Sequence, residues 1–131
     1  SNLLTGHAYG EGLVYDEMVV VDPSAPPAPA LGAEGGPKPG EGPSKEERET
    51  GFFDVLFIGL GEGDEQMRVA VTGDKDPGYG CTSKMIGEAA ICLINEATDA
   101  PGGVWTPGAA MGMKLIERLR ANAGMTFEVE A

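Results

Sequence analysis

"FIGLGEGDEQMRVAVT", residues 57–72, decides how this chain folds. An apolar run meets Gly59, Gly61 and Gly63, as it would at the phosphate loop of a dinucleotide-binding unit. That loop requires Gly-x-Gly-x-x-Gly opening a helix, so that helical N–H groups point at the pyrophosphate. Counted from Gly59, the third glycine falls on Asp64; counted from Gly61, it falls on Gln66. Nor does a helix start after the glycines. Gln66 to Thr72 alternates polar and apolar residues with period two, the mark of a second strand. Glu62, Asp64 and Glu65 would also repel a phosphate. The stretch therefore reads as a hairpin, with glycines supplying the turn.

Around this hairpin the elements come in order. Leu13–Val21 is rich in β-formers and is expected to be a strand. Ser44 reads as the N-cap of a short helical turn, with Glu47 as its capping-box partner. The first hairpin strand, Phe52–Leu60, is apolar on both faces, which predicts an interior strand covered on both sides. On the second, Met67, Val69 and Val71 are expected to face the core. A helix is predicted from Thr82 to about Ala97, with Thr82 as its cap. A second has Thr106 as N-cap, Pro107 at the first position, Gly124 just past the end, and a buried stripe of Ala109, Met113, Ile116 and Leu119. Lys114, Glu117, Arg118 and Arg120 are expected in solvent. Met125–Glu130 closes the chain as a strand, Phe127 and Val129 inward. The order predicts an α+β fold: a mainly antiparallel or mixed sheet with two helices on one face.

The 131 residues suit a single domain, 1–131. Residues 22–43 hold seven of the ten prolines and five glycines, so a flexible insertion is expected there, with Pro26-Pro27-x-Pro29 as a weak ligand pattern. The net charge of -12 and the lack of any run of Lys or Arg argue against nucleic acid or an anionic membrane as partner. No apolar run reaches the length of a membrane span. Cys81 and Cys92, if on one helix, lie about 16 Å apart, too far for a disulfide. Two reduced thiols point to the cytoplasm.

Side-chain chemistry is thin. Cys81, beside a helix N-terminus, would have a lowered thiol pKa, yet His7 is the only histidine and no second one can serve as its base. Asp74-Lys75-Asp76 starts like a calcium loop, but Pro77-Gly78-Tyr79-Gly80 breaks the spacing. The densest polar cluster is "GDKDPGYGCTSK", residues 73–84, a strand-to-helix junction able to receive a carboxylate or carbonyl. Its candidate substrate-binding residues are Asp76, Gly78, Tyr79, Thr82 and Lys84. None is assigned a catalytic, cofactor or metal role.

Two blocks, "DPGYGCTSKMIGEAAICL" (76–93) and "GGVWTPGAAMGMKLIERLRANAGMTFEV" (102–129), make Gly51–Val129 resemble the C-terminal part of saccharopine dehydrogenase-like oxidoreductases. The second block is similar to that family's Gly-Gly-Val-x-Thr-Pro-Gly segment, followed by a helix, a glycine and a last strand. The resemblance implies an N-terminal Rossmann domain that binds NAD or NADP and a second domain that covers a small-molecule substrate and builds a homodimer. This chain would be that second domain, inactive alone and without a cofactor of its own. Its opening Ser1-Asn2 reads as a cleavage remnant, with the Rossmann half upstream. Two other readings stay open: a free-standing ligand-binding or interaction domain, and an independent enzyme using Cys81 or His7.

Overall fold

The structure, a computed structural model, describes residues 1–24 and 40–130. Its elements are α1 (Lys45–Thr50), β1 (Phe53–Leu60), β2 (Gln66–Gly73), α2 (Gly80–Asn95), α3 (Pro107–Asn122) and β3 (Met125–Glu130). The strands form one antiparallel sheet in the order β1-β2-β3. This is the α+β fold expected from the sequence. Residues 25–39, most of the expected insertion and its proline pattern, lie outside the described residues.

The glycine stretch makes the hairpin turn: the Gly61 N–H donates to the Glu65 carbonyl at 2.8 Å, and Gly63 takes a positive φ of 71°. Ser44 and Glu47 form both bonds of the capping box at α1. The register places Phe53, Val55 and Phe57 on the same face as Gly73, Val71 and Val69 of β2 and Met125, Phe127 and Val129 of β3. Both long helices pack on that face, but only at its Phe53–Gly73–Met125 end. There Cys81, Leu119, Ala123 and Met125 form a buried cluster, flanked by Phe53, Val71 and Phe127. A second cluster, Cys92, Ala97 and Met111, ties α2 to α3. On the opposite face the Thr72 and Thr126 hydroxyls meet at 2.7 Å, and Arg68 pairs with Glu130 at 3.1 Å.

Five expectations are corrected. Residues 13–21 form no strand: their side chains lie in solvent, and β-propensity without a ladder partner does not make one. β1 is an edge strand, not an interior one; Val55 to Ile58 are each 42–51% exposed. Met67 and Val129 sit on the core-facing side but beyond the reach of the helices, so they stay exposed, Val129 at 71%. In α3, Gly112 adopts φ 51° and ψ -131°, which breaks the helix. The core-facing stripe is Met111, Leu115 and Leu119, at four-residue spacing, and Met113 is 61% exposed on the other side. Arg118 is not solvated. Its guanidinium joins Glu88 of α2 at 2.6 Å and Glu96 at 2.5 Å, and these carboxylates, Glu96 first, raise its pKa further.

Candidate functional site

The junction from β2 to α2 is organised by one carboxylate. Asp76 accepts the N–H groups of Tyr79 at 2.7 Å, Gly80 at 3.0 Å and Gly78 at 3.2 Å, the donors that a new helix leaves without partners. The Gly80 and Tyr79 N–H groups hold its pKa below the ordinary value. Asp76 thus does the capping expected of Thr82, whose hydroxyl donates instead to the Pro77 carbonyl, while Tyr79 is the N-cap residue. Cys81 lies within α2 and is fully buried; burial, reinforced by the Asp74 charge, raises its thiol pKa, contrary to the lowering expected at a helix start. Burial likewise raises that of Cys92.

α1 docks onto this junction. The Asp76 N–H donates to the Arg48 carbonyl at 3.2 Å, and the Lys75 ammonium to the Glu49 carbonyl at 3.3 Å. The docking brings cations together from four separated positions. Lys45, Arg48, Lys75 and Lys84 line an open groove of about 370 Å³, with Tyr79 and Ser83 beside them and Glu49 as the one lining carboxylate among the described residues. Four of the chain's nine cationic side chains thus converge on a molecule with a net charge of -12. Lys84 is steadied by Asp74 and by the Ala123 carbonyl, each at 3.4 Å.

Of the five candidate residues, Tyr79 and Lys84 line the groove. Asp76, Gly78 and Thr82 do not line it; they bond within the junction, Gly78 to the Asp76 carboxylate and Thr82 to the Pro77 carbonyl. Lys75 stands inside the polar cluster and escaped selection. Lys45 and Arg48 carry no local signal, since only the docking of α1 brings them here. The charge clustering absent from the sequence as a run exists in space.

A second groove, about 510 Å³, runs between α2, the 97–105 segment and the start of α3. Its walls are apolar, among them Ile86, Leu93, Ala97, Trp105 and Met111. Thr106 occupies the N-cap position of α3 and Pro107 its first turn, as expected. The Thr106 hydroxyl, however, meets the Ser1 hydroxyl at 2.8 Å and caps no N–H. Gly124, with φ 70°, stands just after the C-cap as expected.

The fold is α+β, and a cationic groove lies at its strand-to-helix junction. Its relatives place it further. It is 32% identical, over 98% of its length, to the "Putative trans-acting enoyl reductase" of Mycobacterium tuberculosis strain H37Rv. It is 36% and 35% identical, over 68% and 67% of its length, to the saccharopine dehydrogenase-like oxidoreductases of Bos taurus and Rattus norvegicus. No family model and no solved structure matches it. The chain belongs to the saccharopine dehydrogenase-like oxidoreductase family. It spans 37% of the mycobacterial relative and 23% of each mammalian one. No helix among the described residues is long and apolar enough to cross a membrane.

Proposed function

We propose that this chain is the C-terminal domain of an NAD(P)-dependent oxidoreductase, which covers a small-molecule substrate and builds a homodimer, and is inactive alone. The observation that carries the reading is β1. An edge strand with apolar side chains exposed on both faces is a surface that water penalises and a partner would cover. A Rossmann half and a second copy of the chain are the occupants we assign to it. The cationic groove then meets an anionic group of the substrate, through Tyr79, Lys84, Lys75 and Arg48. The mycobacterial relative is named an enoyl reductase, so reduction of a carbon–carbon double bond is among the reactions this family reading admits.

The nicotinamide belongs to the other half. The glycine-rich turn after β1 does not fit a pyrophosphate: its Gly61 N–H is engaged by the Glu65 carbonyl, and Glu62, Asp64 and Glu65 stand in the same turn. When bound there, NAD or NADP would supply the hydride; this domain's residues orient the substrate and exclude water. The free, buried thiols suit a reducing compartment such as the cytoplasm.

The test uses the full-length enzyme. Replacing Phe57 and Ile58 by Glu, one on each face of β1, should convert a sedimenting dimer to monomers or release the Rossmann half to limited proteolysis. NADH affinity should be unchanged. A variant with undisturbed assembly and domain contact would remove the basis of the reading and favour a free-standing binding domain.

A further inference from the structure

The two grooves lie along one side of a single helix. Ser83, Ile86, Ala90 and Leu93 recur at three- and four-residue spacing, which places them on one face of α2, and all four are exposed or half-buried. Ser83, at the upper end of this ridge, lines the cationic groove together with Tyr79 and Lys84. The lower end, with Ile86, Ala90 and Leu93, lines the apolar groove, whose walls include Trp105. From Ser83 to Leu93 the helical rise spans about 15 Å. Positive charge at one end and apolar walls at the other complement a particular shape of molecule.

We propose that α2 cradles an anionic amphiphile with a single alkyl chain, its carboxylate or phosphate head among Lys75, Lys84 and Arg48 and its chain along Ile86, Ala90 and Leu93 toward Trp105. The proposal rests on the reading of the junction as the substrate site, and names the substrate's chemical class. The head gains charge-assisted hydrogen bonds from side chains that an acidic chain has gathered in one place. The tail gains from leaving water, each buried methylene multiplying affinity about fourfold. A short acid satisfies only the head, and a neutral alcohol only the tail.

Trp105 is the chain's one tryptophan, so its emission reports on the lower groove directly. Titrating this chain with dodecanoate below its micelle concentration should shift that emission saturably, with octanoate at least tenfold weaker. Replacing Lys75 and Lys84 together by Ala should weaken dodecanoate about tenfold and leave dodecanol unaffected. Leu93→Asp should weaken both. Circular dichroism verifies that these replacements leave the fold intact. Equal affinity for dodecanol and dodecanoate, or for octanoate and dodecanoate, overturns the proposal. So does an emission change seen only with anionic lipid vesicles, which would mark a surface instead of a cradle. If dodecanoate fails while the double Lys variant still raises KM in the full-length enzyme, the substrate-site reading stands and the amphiphile falls. If neither responds, both fall.

Discussion

The two ends of the sheet are built from the same kinds of residue and behave differently. At one end Phe53, Val71 and Phe127 lie against Cys81, Leu119 and Met125. A few residues along the same face, Phe57, Met67 and Val129 are exposed. Alternation in a strand determines which face a side chain takes, but not whether anything lies over that face. Coverage is decided by where α2 and α3 land, and they land on half the sheet. The covered half carries the stability of this unit; the open half leaves its apolar side chains exposed.

The sharpest test of that division is Leu119→Ala. Leu119 is 6% exposed and sits in the cluster that joins both helices to the sheet, so its truncation should cost about 2–5 kcal/mol in urea unfolding. A loss under about 1 kcal/mol would mean the covered end is not the core. A smaller effect, and a pH-dependent one, is expected at Asp76. Its carboxylate is held below its ordinary pKa of 3.8 by the Gly80 and Tyr79 N–H groups, so the folded chain binds that proton more weakly than the unfolded one. The stability it adds is therefore full above the ordinary value and is lost as pH falls through the lowered one. Asp76→Ala should lower the melting temperature at neutral pH and flatten its decline in acid; parallel curves for the two proteins would show that Asp76 does not hold the helix start. The least effect belongs to the open end. Val129→Thr should change stability by no more than about 0.5 kcal/mol, and a loss as large as that of Leu119→Ala would abolish the contrast between the two halves.

Legibility in the sequence divides along the same line. Features set by a few neighbouring residues were legible: the 57–72 hairpin, the Ser44–Glu47 capping box, Pro107 and Gly124 at the ends of α3. Features set by distant partners were not. β1 looks interior because its residues are apolar, and only the strand order reveals an edge. Leu13–Val21 has strand composition but, among the described residues, no strand beside it. Gly112 gives no local sign that it will interrupt α3. At the junction, Asp76 and Thr82 both have capping chemistry, and the choice between them rests on the turn through Pro77 and Gly78. The groove was half visible, through Tyr79 and Lys84; its other cations, apart from Lys75, come from α1, which precedes the hairpin in the chain.

Gly124 carries a consequence for how this sequence can vary. With φ 70°, and with a Cβ at that position set to collide with the Asp74 carboxylate, it admits no ordinary side chain unless Asp74 moves. Asp74 holds Lys84, and the carbonyl of Ala123, next to Gly124, holds Lys84 as well. Positions 74, 84 and 124 are thus one epistatic unit. A combinatorial library drawn over the three should return variants in which they change together, and a substitution at 124, outside the groove, should alter how a substitution at Lys84 is tolerated.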